Sequence, residues 1–222
     1  GIYARRYDAS GTAPDGESVV NTFWTGTQMV PQTASLTDGG YVIAWASETQ
    51  DGDGNGVYAQ RYNSAGVAQG SEFRVNVTTT GNQGSRAGTD FHEEGLSVTG
   101  LKDGGFAVTW FSTHADTTGD VYARLYNADG TAQTGEFQIN SHTSSLQWLP
   151  QVAALAKGGM VVTWASYTQD GSGYGVYGQR LRPDGTRIGG EFRINTTVSG
   201  NQGGAIDSQD DRLHDVTGLA GG

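Results

Sequence analysis

Cysteine is absent from the 222 residues, so neither a disulfide nor a thiolate metal centre can hold the fold. Packing, or ions held by oxygen ligands, must supply the stability instead. Proline is scarce, at 4 residues. No apolar run approaches the roughly 20 residues that cross a bilayer as a helix, and no membrane insertion is expected. Basic residues are few: 13 Lys and Arg stand against 23 Asp and Glu, a formal net charge of −10. Binding to nucleic acid by counterion release needs a basic face, so no nucleic-acid partner is expected. An acidic surface suits an extracellular medium containing divalent cations, and it also serves solubility alone. The chain opens at Gly1 inside a repeated motif, with no initiator Met and no signal peptide. It therefore reads as a fragment of a longer protein.

Glycine is plentiful, at 36 residues, without a collagen period, which fits many tight turns between short strands. The stretch YVIAWASETQDGDGNGVYAQRYNSAGVAQGSEFRVN, residues 41–76, returns without a gap as MVVTWASYTQDGSGYGVYGQRLRPDGTRIGGEFRIN, residues 160–195. Looser copies occupy 106–140 and, shortened at the front, 1–21. Each copy predicts four strands. Strand one ends at Leu36, Leu101, Leu155 or Leu219. Strand two is continuously apolar (Tyr41–Trp45, Phe106–Trp110, Met160–Trp164), which predicts burial on both faces. Strand three centres on Tyr3, Tyr58, Tyr122 and Tyr177, and strand four closes at Asn21, Asn76, Asn140 and Asn195.

The strand-three tyrosines recur after 55, 64 and 55 residues, so short and long units alternate. The loops after Asn76 and Asn195 are the long ones, and both open with Gly-Asn-Gln-Gly (81–84 and 200–203). A four-stranded unit of this length is the size of a propeller blade. The fold expected is all-β: one four-bladed β-propeller domain over 1–222, made of a two-blade unit duplicated as 1–119 and 120–222. The last repeat stops at HDVTGLAGG, before a second strand, so one blade lacks a strand. This predicts either an external strand donated to that blade or self-association there.

The signature W-x-S-x-x-Q-D-G-x-G-x-G-V-Y-x-Q-R, carried by Trp45, Ser47, Gln50, Asp51, Gly52, Tyr58 and Arg61 and again by Trp164 to Arg180, resembles repeats of large secreted bacterial proteins. These are the RTX-like and adhesin-like, calcium-associated proteins exported by type I systems. The resemblance implies a secreted, extracellular or cell-surface location. The RTX nonapeptide G-G-x-G-x-D is missing, so that route to calcium is not implied.

Asp51-Gly52-Asp53-Gly54-Asn55-Gly56 places oxygen ligands at alternate positions, as a calcium loop does. Ala59 and Tyr62 stand where further ligands belong, and the second copy keeps only Asp170. Asp51, Asp53, Asn55 and Asp170 are candidate calcium ligands, or else they cap their own glycine-rich turns. Trp45, Trp110 and Trp164 are expected in the core. Trp24 and Trp148 lie in the short inter-blade loops with Gln28, Gln32, Gln147 and Gln151, where an indole beside amides can hold a sugar face. The alternative is that each indole closes the gap between blades. Arg6, Arg61 and Arg180 on strand three and Glu17, Glu72, Glu136 and Glu191 on strand four predict ion pairs between adjacent strands. The long loops hold Asp90, His92, Glu93 and Glu94, and Asp207, Asp210, Asp211 and His214. His114 and His142 stand alone in loops.

The reading that follows is a non-catalytic extracellular binding or adhesion module, recognising a glycan or protein through its inter-blade loops. The alternatives are a structural unit completed by an outside strand, and a polysaccharide hydrolase that uses loop carboxylates.

Overall fold

The computed structural model describes residues 1–85, 95–115, 118–202 and 214–218. The described residues are all-β, with three antiparallel four-stranded sheets and one two-stranded sheet. The small sheet joins β1 (Tyr3–Ala4) to β2 (Ser18–Val19). The second sheet contains β3 (Gln28–Ser35), β4 (Tyr41–Glu48), β5 (Asn55–Tyr62) and β6 (Phe73–Arg74), in that order. The third contains β7 (Leu96–Gly100), β8 (Phe106–Ser112), β9 (Asp120–Tyr126) and β10 (Phe137–Gln138). The fourth contains β11 (Gln147–Ala154), β12 (Met160–Tyr167), β13 (Tyr174–Leu181) and β14 (Arg187–Arg193).

Sequential hairpins arise because each strand is short and ends in a turn that only glycine satisfies easily. Gly39, Gly104 and Gly158 have φ of 80°, 91° and 95°, left-handed values that a Cβ disfavours. The innermost strands β3, β7 and β11 lie side by side, with β7 between the other two. They approach so closely that a Cβ on Gly100 would stand 2.1 Å from the Ser35 carbonyl oxygen. The arrangement is propeller-like. The segment 214–218 lies against β11 as β7 lies against β3, with Gly218 set on the Ala154 carbonyl.

Packing runs face to face between neighbouring sheets. Leu36, Val42 and Val57 of one sheet pack with Leu96, Phe106 and Trp110 of the next. The opposite face of that next sheet meets Val152, Met160 and Trp164. β8 is buried along its whole length, as expected for a strand covered on both faces. Trp45, Trp110 and Trp164 are among the largest fully buried side chains.

One asparagine motif recurs in every repeat. The Oδ1 atoms of Asn21, Asn76, Asn140 and Asn195 accept the backbone N–H of Ile2, Val57, Val121 and Val176 at 2.6, 2.8, 2.9 and 2.8 Å. Each bond pins the end of a fourth strand to the start of a third strand, where regular pairing has stopped.

The expected pairing of strand-three arginines with strand-four glutamates is corrected. Among the described residues the ion pairs are Arg6–Asp15 and Arg61–Asp38. The glutamates instead reach the preceding repeat. Glu72 accepts Thr22 N–H at 2.5 Å, Glu136 accepts Val77 and Thr78 N–H at 2.7 and 3.0 Å, and Glu191 accepts Ser141 N–H at 2.8 Å. Backbone donors left open after the fourth strand turn towards these carboxylates, and a charged acceptor makes the stronger bond.

Candidate functional site

The two ends of the sheets differ. One end carries the short turns from first to second strand and from third to fourth. The other carries the hairpins after β4, β8 and β12, together with every connection into the next sheet. The described residues of the loops singled out above for chemistry lie at this second end.

The Gly-Asn-Gln-Gly motifs have a structural role there that the sequence pattern did not disclose. Gln83 N–H donates to Asn55 O at 2.7 Å, and Gln202 N–H to Tyr174 O at 2.5 Å. Asn82 Oδ1 accepts Asn55 N–H, and Asn201 Oδ1 accepts Tyr174 N–H, both at 3.2 Å. Asn76 and Asn195 donate to Gln83 and Gln202 Oε1 at 3.3 and 3.1 Å. The motif is thus a clasp that seats each long loop on the hairpin after β4 or β12. The sequence signal was available in the identical spacing of the two copies.

This clasp uses the candidate calcium ligands. Asp51 Oδ2 receives the Asn76 amide at 2.7 Å, Asp170 Oδ2 receives the Asn195 amide at 3.2 Å, and Asp53 Oδ2 receives Gly81 N–H at 3.0 Å. Asn55 donates its amide to Ser85 O at 3.4 Å. N–H donors directed at these oxygens would have to turn away before a cation could enter. Among the described residues no group of three or more His, Asp and Glu side chains gathers as a metal site. Beneath the hairpins, burial first and the Asp51 charge second push the Tyr58 phenol up to about 12. Tyr177 is raised in the same way, by burial and then by Asp170.

The expected sugar platform is dispersed. Trp24 is 59% exposed, but Trp148 is 3% exposed and meets Phe111 edge-on, with ring centroids 5.9 Å apart. Gln28 and Gln147 are buried. Gln28 donates to Thr25 and Gly26 carbonyls, while Gln147 Oε1 accepts the Trp164 indole N–H at 3.2 Å. Gln32 and Gln151 lie half-buried on the innermost strands β3 and β11. Trp148 thus closes the gap between sheets.

His114 is not isolated. Its Nδ1 stands 2.7 Å from Ser112 Oγ and its ring 4.5 Å from that of Tyr122. Ser112 is 1% exposed, so this hydroxyl is closed to a polymeric substrate. His142 contributes its backbone carbonyl to Asn140. Asp90, His92, Glu93, Glu94, Asp207, Asp210 and Asp211 lie outside the described residues, and His214 lies within them. At the opposite end, a shallow mouth of about 550 Å³ opens among the ends of β3, β7 and β11, where Lys102 Nζ donates to Ala156 O at 3.0 Å.

No family model matches the chain, and no curated protein matches it. Solved structures do resemble it. An endo-arabinase from Bacteroides thetaiotaomicron is 16% identical with a TM-score of 0.46, over 83% of this chain and 69% of that one. An α-L-arabinofuranosidase from Lactobacillus brevis is 13% identical with a TM-score of 0.43, over 75% of this chain and 53% of that one. A GH93 α-L-arabinofuranosidase of Fusarium graminearum, solved with arabinobiose, is 12% identical with a TM-score of 0.49, over 79% of this chain and 53% of its own. The chain spans about half the length of these two arabinofuranosidases.

The expectation of a non-catalytic binding or adhesion module is corrected at this point. Solved structures that resemble the chain include an endo-arabinase and α-L-arabinofuranosidases. The binding face drawn for that module also loses Trp148, Gln28 and Gln147 to the interior.

Proposed function

We propose that this chain is a polysaccharide hydrolase built on a four-bladed propeller, with its acid and base carboxylates in the loops 86–94 and 203–213. The observation that carries this reading is that the described residues flanking both acidic stretches, 81–85 with Gly95 and 200–202 with His214, lie at one end of the sheets. The clasps at 81–84 and 200–202 seat the outgoing side of each loop on equivalent hairpins. The incoming sides, at Gly95 and His214, lead to β7 and to the segment beside β11, which are innermost in the assembly. The described anchors of the two acidic stretches thus share one end of one scaffold, in repeats that are not neighbours.

Glycoside cleavage needs two such carboxyls. One, protonated, gives its proton to the glycosidic oxygen as the bond to the anomeric carbon breaks. The other takes a proton from the water whose oxygen bonds to that carbon, or first bonds to the carbon itself. Glu93 and Asp210 are the pair to test. Reducing-end release is measured on a panel of polysaccharides that includes arabinan. The expected result is turnover of at least one polymer, reduced about 10²–10⁴-fold by Glu93→Gln or by Asp210→Asn with the unfolding transition unchanged. No release from any polymer, or rates in both variants equal to that of the unsubstituted chain, overturns the reading.

A further inference from the structure

We propose that the serine and glutamine of the repeated signature, Ser47 with Gln50 and Ser166 with Gln169, each time bind one buried water molecule in the seam towards the preceding repeat. The proposal does not depend on the hydrolase reading.

Ser47 and Ser166 are both 0% exposed, and neither hydroxyl makes a hydrogen bond among the described residues. The Oε1 atoms of Gln50 and Gln169 are likewise closed to solvent and unbonded. The Nε2 atoms of the same two side chains donate to Glu72 and Glu191, so each glutamine is held in place with its oxygen left over. A buried polar atom without a partner is costly. Other such atoms occur singly: Thr163 Oγ1 is one, and the other copy has Ala44 there. Among the described residues, the signature serine and glutamine are the ones that recur in both copies.

Both residues of each copy lie on the side turned to the preceding repeat. Trp45, on the same face of β4 as Ser47, packs with Ile2 and Val20, and Gln50 donates to Glu72, which holds Thr22. Trp164, on the same face of β12 as Ser166, packs with Val121 and Ile139, and Gln169 donates to Glu191, which holds Ser141. The middle repeat supplies the comparison. Ser112 takes the same place after Trp110, but Ala115 stands where the glutamine would be. There His114 Nδ1 lies 2.7 Å from Ser112 Oγ, and Glu136 takes the Thr78 hydroxyl in place of a glutamine amide. Where the chain itself provides a polar partner, that partner meets the serine hydroxyl at hydrogen-bond distance.

The ligand's chemistry follows from these atoms. It donates to an amide oxygen, it gives a bond to a hydroxyl or takes one from it, and it fits a closed seam. Water meets all three conditions, and the serine and glutamine supply the two or more polar partners that a buried water needs. A cation could take the two oxygens. The Trp45 indole N–H, on the same face of β4 as Ser47, is however also buried without a partner. Water accepts such a donor, and a cation repels it.

The test is a crystal structure of the 222-residue chain in which ordered water is visible, together with one of Gln169→Met, which keeps the length of the side chain and removes its oxygen. Expected is one water in each seam, within about 2.7–3.2 Å of both Oγ and Oε1, with His114 alone on Ser112. Gln169→Met loses the water beside Ser166 and keeps the one beside Ser47. If Gln169→Met does not fold, Ser166→Ala replaces it. In solution, magnetic relaxation dispersion of the water nuclei counts one long-lived water fewer in the variant than in the unsubstituted chain. A seam without water, a direct bond from serine to glutamine, or oxygens gathered at about 2.3–2.6 Å around a cation overturns the proposal. So does an equal count in the variant.

Discussion

At the scale of single residues, the asparagine that closes each fourth strand carries more bonds than its small side chain suggests. Asn76 accepts Val57 N–H and donates to Asp51, Thr78 O and Gln83, and it is 1% exposed. Truncation would leave buried donors and acceptors unpaired, so Asn76→Ala is expected to cost about 1–3 kcal/mol, read from urea unfolding. A change too small to resolve would show that water takes over these bonds. Glu191 makes a second prediction. Burial raises its carboxyl, but hydrogen bonds from Ser141 N–H, the Gln169 amide and the Ser141 hydroxyl outweigh burial and hold it below the ordinary 4.5. A depressed native value means that the stability is complete above the unfolded value and is lost as pH falls through the native one. Glu191→Gln should therefore flatten the acid limb below about pH 4.5 and leave the profile's shape at neutral pH alone. An unchanged acid limb would place the latch elsewhere.

Individual elements show why duplicated sequence need not have duplicated surroundings. Trp24 precedes β3, whereas Trp148 lies within β11 at the place that Met29 takes on β3; both strands break register, between Met29 and Gln32 and between Trp148 and Gln151. Val30 and Leu149 take left-handed φ of 47° and 54° at those bulges, a conformation costly for either side chain and held by the surrounding packing. Phe111 of β8 covers Trp148, while Trp24 stays exposed. Trp148→Ala is expected to cost about 3–5 kcal/mol as a core truncation, and Trp24→Ala less than about 0.5. Chemical unfolding of the two variants checks this contrast, and equal losses would mean that Trp24 is also packed. Strand pairing itself was legible beforehand, because hairpins are local and the Gly-rich turns fix their ends. The glutamate latches were not legible. On sequence alone Glu72 and Arg61 look like partners on adjacent strands, and only the packing of one repeat on the next turns Glu72 towards Thr22.

For the whole molecule, the repeat boundary and the structural boundary do not coincide. A cut between residues 119 and 120 falls inside one sheet and separates β8 from β9, which pair along seven positions from Phe106–Tyr126 to Ser112–Asp120. Fragments 1–119 and 120–222 are therefore expected to lack cooperative unfolding when made apart, and to regain it on mixing. Two independently folded fragments in circular dichroism melts would mean that the contacts between sheets add little. The same interleaving places 214–218 beside β11, so that residues distant in sequence meet across the assembly.

The sequence by itself determined the strands, their hairpin order, the tryptophan core and the repeat. Each of these depends on local periodicity and on turns that only certain residues allow. The tertiary structure decided which duplicated side chains are covered and which carboxylates hold a neighbouring repeat. It also turned the Asp51 loop inward onto Asn76. Those outcomes depend on what lies opposite each sheet face, and two identical segments with different neighbours cannot reveal that from their own residues.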